Sequence, residues 1–237
     1  MSRAIWGLVL VNTVLGLPGA CAEATRYQNR PPERHAFCAS SVRGKFDGRR
    51  RGEVAVVGSR RRSCRGPWQV LLRLANGRTV KRSLDRDVLP GLEEDHVCEL
   101  AGCRVFGARD LDRDGRDELE IADNAPATGV VVAVYQLAGG SIRMLNVRAR
   151  RGRRPAPMEL LYLAGGTESS WVVCRDSPRG RQIVQVGEGH LADHHPRVDV
   201  SETSYALKGL LFRHVSDRTY SRRGATGFPL RVPGRPC

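Results

Sequence analysis

The sequence predicts an all-β chain built as an array of about three four-stranded units. Three observations lead there. One segment recurs along the chain at an interval of 64–65 residues. Each copy is followed by two β-rich runs joined by a short turn signal. Composition agrees: 26 Gly and 13 Pro in 237 residues, with 5% aromatics, suit many short strands and turns.

The recurring segment reads Gly44 to Val57 in the first copy, Arg109 to Ala122 in the second and Val173 to Val186 in the third. Its anchoring aspartates are Asp47, Asp112 and Asp176, spaced 65 and then 64 residues apart. Six residues after each comes Glu53, Glu118 or Gln182, and then an apolar run. A strand precedes each copy, at Val42, Val105-Phe106 and Trp171 to Val173. A hairpin follows it: Val70 to Leu84 around Asn76-Gly77, Val130 to Val147 around Gly139-Gly140, and Val198 to Val215 around Lys208-Gly209. Each unit therefore offers about four strands, the content of a propeller blade. The stretches Asp85 to Leu100 and Arg148 to Gly165 are polar and proline-bearing, and read as connectors.

The second copy alone carries a complete acidic loop, Asp110-x-Asp112-x-Asp114-Gly115-x-x-Glu118. Alternate side chains of a tight loop aim oxygens at one point, which suits a hard cation such as calcium with its ~6–8 oxygen ligands. Gly115 permits the turn that returns Glu118 to that point, and the Arg116 carbonyl is the natural backbone ligand. An EF-hand is excluded, because position 12 from Asp110 is Ile121, and Leu119-Glu120-Ile121 alternates like a strand.

An acid at position 9 followed by a strand, with Phe106-Gly107-Ala108-Arg109 leading in, resembles the FG-GAP/VCBS repeat of integrin-α-like β-propellers. The resemblance centres on Asp110 to Ile121 and extends over Val42 to Val215. It implies a propeller-like array of blades, left incomplete or closed by an unrecognised extra blade. It also implies one structural calcium held by Asp110, Asp112, Asp114, Arg116 and Glu118. The matching positions of the first copy are Lys45, Asp47, Arg49 and Glu53, and an internal Arg49 pairing with Asp47 and Glu53 would replace the metal charge. Those of the third are Cys174, Asp176, Pro178 and Gln182, which cannot form a calcium cage.

The N-terminus reads as an export signal, residues 1–22, with Arg3, an apolar run from Ile5 to Leu17 and the cleavage pattern Ala20-Cys21-Ala22. That run is too short to span a ~30 Å bilayer core. A linker over 23–37, a repeat domain over 38–221 (about 38–97, 98–165 and 166–221) and a tail over 222–237 follow. The expected location is extracytoplasmic, either secreted or anchored through a lipidated Cys21. Of seven cysteines, the six beyond Cys21 suggest disulfides, with Cys38–Cys64 and Cys98–Cys103 as candidate pairs.

Other signals are weaker in chemistry. Net charge is +14, carried by arginine apart from Lys45, Lys81 and Lys208. The arginine clusters lack interleaved aromatics, so nucleic acid is not the expected partner. His190, His194 and His195 read as a loop between strands. No nucleophile elbow, P-loop or paired-acid pattern appears, so no enzyme is expected. The expected function is a non-catalytic calcium-binding scaffold or binding module for a protein or cell-surface polymer. The alternative is a basic protein binding an acidic polymer through its arginines.

Overall fold

The structure is a computed structural model. It describes residues 36–48, 52–64, 66–84, 103–124, 129–148, 156–164, 168–178, 180–190 and 197–223. All of these belong to the unit Pro32–Cys237. No described residue is helical.

The first four strands, β1 (Phe37–Gly44), β2 (Glu53–Ser59), β3 (Trp68–Arg73) and β4 (Thr79–Ser83), pair in chain order, each antiparallel to the next. Period-two burial explains them: Ala55 and Val57 are fully buried on β2, and Val70 and Leu72 on β3 face the same way. The turn between β3 and β4 uses the predicted Asn76-Gly77. Asn76 Oδ1 accepts the Arg78 amide at 2.9 Å, and Gly77 takes φ +82°.

A second meander follows, with β5 (Arg104–Arg109), β6 (Glu118–Asn124), β7 (Gly129–Ala138) and β8 (Ser141–Met144). The Gly139-Gly140 turn joins its last two strands, both glycines having positive φ. Three short strands come next: β9 (Asn146–Arg148), β10 (Ala156–Pro157) and β11 (Glu159–Ala164). The third meander is β12 (Glu168–Ser177), β13 (Gly180–His190), β14 (Arg197–Lys208) and β15 (Leu211–Arg223).

The expected four-strand content of each unit is therefore present. The connectivity between units departs from expectation in one respect. Arg148 to Gly165 is more than a connector, because β11 pairs with β7 on one side and β12 on the other. It welds the second and third meanders into a single 11-stranded sheet, while the first remains a separate 4-stranded sheet. The run Leu160-Leu161-Tyr162 carries the apolar side chains that earn this place, with Leu160 fully buried. Among the described residues, β9 adds the one parallel pairing, with β15. Neither sheet closes on itself among the described residues. Strand β15 runs to Arg223, into the expected tail.

The second meander is buried on both faces. One face, with Leu119, Ile121, Ala133 and Tyr135, packs on Ala55, Trp68, Val70 and Leu72 of the first. The other, with Val132 and Val134, packs on Val172, Ile183 and Phe212 of the third. Burying each valine, leucine, isoleucine or phenylalanine among them contributes about 1.5–3 kcal/mol. A third cluster, Trp171, Val173, Val184, Val186, Val198 and Val200, lies on the opposite face of the third meander.

Cys38 and Cys64 are disulfide-bonded, as expected, with Cα atoms 5.7 Å apart. Cys103 and Cys174 are also in disulfides, whereas Cys98 lies outside the described residues. So do Arg49, His194 and His195, and the connector over 85–100. Replacing Cys38 and Cys64 together by Ala is expected to destabilise the fold by about 2–4 kcal/mol, since a bridge across a 26-residue separation no longer restrains the unfolded chain. Denaturant unfolding of the variant beside wild type measures this.

Candidate metal centre

The acidic loop joins β5 to β6 and is built from backbone turns closed by its own aspartates. Asp112 Oδ1 accepts the Asp114 amide at 3.0 Å, and Asp114 Oδ1 accepts the Arg116 amide at 2.8 Å. Asp110 Oδ2 accepts the Gly115 amide at 3.1 Å. The chain turns through positive φ at Arg113 (65°) and Gly115 (85°). Leu111 is fully buried and pins the loop to the core.

Of the four expected carboxylate ligands, the fold brings three together. One carboxylate oxygen each from Asp110, Asp112 and Glu118 lies within 4.8 Å of the others. Two oxygens on one calcium, each ~2.4 Å from it, are at most ~4.8 Å apart, so the spacing fits. Asp110 Oδ1 is buried and has no hydrogen-bond partner, which leaves an acceptor unsatisfied. Asp114 stands outside the cluster and faces Arg116, with Arg116 Nε 3.4 Å from Asp114 Oδ2. The Arg116 side chain thus serves Asp114.

Glu118 is fully buried at the first position of β6. Its Oε2 accepts the Leu111 amide at 2.7 Å, and its Oε1 accepts Gln136 Nε2 at 3.0 Å. Burial pushes its carboxyl up to about 8, against the Leu111 hydrogen bond and with help from Asp112, Asp114 and Asp110. Burial is also the main cause raising Asp112, with Asp114 and Asp110 adding to it.

The first loop, between β1 and β2, repeats part of this plan without the ligands. Glu53 is likewise fully buried. It accepts the Asp47 amide at 2.8 Å and the Ala75 amide at 3.2 Å. Phe46 is buried where the second loop has Leu111. The third copy differs more than its alignment suggests. Asp176 and Gln182 lie on paired strands, and Ser177 pairs with Gly180, so the long loop is reduced to a hairpin. Pro178 sits in that turn, and Ser177 Oγ donates to Gly180 O at 2.7 Å.

The three corresponding segments are tied to one another. Lys45 and Asp117 exchange two hydrogen bonds, the Lys45 amide to Asp117 Oδ2 at 2.7 Å and the Asp117 amide to Lys45 O at 3.0 Å. From the third meander, Arg181 donates to Asp110 O at 2.8 Å. Arg113 of the acidic loop pairs with Asp176 at 2.8 Å.

A second buried network lies under the loop. Arg109 pairs with the fully buried Glu120 at 2.6 Å and donates to Tyr162 OH at 2.7 Å. Burial, seconded by Glu120, pushes Tyr162 up to about 12. A Cβ on Gly107 would stand 2.9 Å from Glu120 Oε2, so glycine here admits the carboxylate. Sequence reasoning did not find Gln136, Arg181 or the Arg109–Glu120 pair. Gln136 had a signal, as the sole amide or charged side chain in the ten residues of β7. The cross-meander contacts had none.

Comparison with known proteins returned no match: no family model fits the chain, no curated protein aligns with it, and no solved structure resembles it. The likeness of the loop to FG-GAP/VCBS repeats rests on its own residues.

The raised Glu118 carboxyl gives a signed pH dependence for the metal-free protein. The group titrates near 4.5 when unfolded and near 8 when folded, so the folded state binds the extra proton. Its stabilising effect is complete below about pH 4.5 and is lost as pH rises through about 8. In chelator, stability is expected to fall over this window, and Glu118→Gln is expected to flatten that fall. Urea unfolding at stepped pH reads both.

Proposed function

We propose that this chain is an exported β-repeat protein of FG-GAP/VCBS character, with its meanders stacked as propeller-like blades. In this reading it is a non-catalytic binding or scaffold module stapled by one calcium ion in the second loop. The observation that carries the reading is the set of Asp110, Asp112 and Glu118 oxygens within 4.8 Å of one another, with a buried Asp110 oxygen lacking a partner. Asp114 and the Arg116 carbonyl, next along the same loop, would complete the set, with water in any remaining position.

The ion's role is structural. When bound, it supplies a positive charge where carboxylates otherwise repel, and it fixes the turn between β5 and β6. The loop meets both neighbouring meanders, through Asp117 to Lys45 and through Asp110 O to Arg181. Fixing it therefore secures two interfaces. Export is supported by the N-terminal signal pattern and accords with the Cys38–Cys64 disulfide. Ligand contacts for a protein or cell-surface polymer would fall on the loops that join the strands.

Calorimetric titration with calcium tests the reading. The mature protein is expected to bind one ion, and an Asp112→Ala, Asp114→Ala double variant none. Absence of calcium heat and of any calcium-dependent rise in Tm in wild type would reduce the loop to a solvated turn.

A further inference from the structure

A calcium cage ordinarily presents an uncompensated negative potential. This one is surrounded by fixed cations that belong to the fold. Arg116 lies 3.4 Å from Asp114. Arg181, from β13 of the third meander, donates to the Asp110 carbonyl at 2.8 Å, and its side chain is only 18% exposed. Lys45, from the first meander, has its Nζ 3.9 Å from the place a Cβ would take on Gly115. The Gly115 amide is itself bonded to Asp110. Arg113 also sits in the loop, and Asp176 pairs with it at 2.8 Å and with Arg181 at 3.5 Å, so one carboxylate answers two guanidinium charges.

The base of the Lys45 side chain is held in place. The Lys45 backbone is tied to Asp117 by two hydrogen bonds, and the adjoining Phe46 is buried at 1% exposure. The ammonium therefore starts from a fixed point beside the loop. A unit charge held within several ångströms of a divalent ion opposes its binding, and more so where protein partly displaces water. Lys45 also occupies the repeat position that Asp110 holds in the second copy. A ligand position of one repeat thus carries the opposing charge of its neighbour.

Resting on the calcium reading above, we propose that Lys45, with Arg181 opposite, sets the affinity of the second loop by standing as a built-in counter-cation. The two side chains come from the meanders on either side. They relieve carboxylate repulsion in the metal-free loop, so the array folds before calcium arrives. The same charges weaken the ion's hold to the ~0.1–1 mM range that suits calcium outside the cell. Affinity then depends on how the flanking meanders are seated, and by linkage the ion favours or disfavours that seating in equal measure.

The test is calcium titration of wild type, Lys45→Met and Lys81→Met, with a chelator blank and circular dichroism to confirm folding. Lys81 lies on β4, away from the loop, and its variant carries the same change in net charge. Lys45→Met is expected to tighten calcium binding about five- to tenfold over wild type, with Lys81→Met near wild type. Arg181→Met is expected to move the same way, and Lys45→Gln repeats the charge removal with a polar end should the Met variant fold poorly. Equal affinity in wild type and both Lys45 variants would overturn the inference and leave the calcium site standing. Calcium bound by none of the proteins would overturn the site and the inference together.

Discussion

A buried carboxylate at the root of each long loop is the interaction on which the rest of this structure depends. Glu53 and Glu118 have no exposed surface. An isolated buried carboxylate is costly, so each must be satisfied locally. Each accepts one backbone amide from its own loop, at Asp47 or Leu111. Each also accepts a second donor from beyond its strand, Ala75 or Gln136. The loop is thereby folded back onto the sheet, and Phe46 or Leu111 is driven into the core beside it. The brace works without a metal, because the first loop has it and lacks the metal ligands. In the second loop the same brace leaves Glu118 beside Asp110 and Asp112.

From these braced ends the architecture follows by side-chain alternation. On β6, Leu119 and Ile121 point to the first meander, while Glu118 and Glu120 point to the other side. The polar side is made tolerable by Gln136 and Arg109. Arg109 and Glu120 form a paired buried charge, and such pairs stabilise little beyond an apolar substitute while being costly to break. Their placement next to Asp110 ties the geometry of the loop to the packing of β11 through Tyr162.

The strands were legible where local chemistry decides. Asn76-Gly77, Gly139-Gly140 and Lys208-Gly209 each mark a turn that the structure contains, and each glycine named takes positive φ. The Cys38–Cys64 bridge was legible from its position around the first loop. The acidic loop was legible as a cluster, but Asp114 turns to Arg116, a competition between neighbours that spacing does not reveal. The third copy aligned by sequence yet forms a hairpin, because Ser177 and Gly180 pair directly and leave no room for a loop. Strand β11 was hidden because its partners, β7 and β12, flank it only after folding. Lys45 and Arg181 were illegible as neighbours of the loop for the same reason: both contacts cross between meanders.

The pairing of β11 has a mechanical consequence. The second and third meanders share backbone hydrogen bonds across β7, β11 and β12, whereas the first belongs to a different sheet. The first is joined to its neighbour by side-chain packing and by a few cross-links, such as those donated by the Val105 amide to the Ser40 hydroxyl and by Arg82 to the Ile142 carbonyl. Pulled from its two ends, the chain is expected to yield first at this seam, where no sheet ladder joins the two parts among the described residues. The two welded meanders would bear load as one body, since separating them means shearing a ladder. The acidic loop sits astride the seam, where Asp117 meets Lys45. An ion that stiffens it would therefore act on the hinge of the molecule and leave its two rigid parts unchanged.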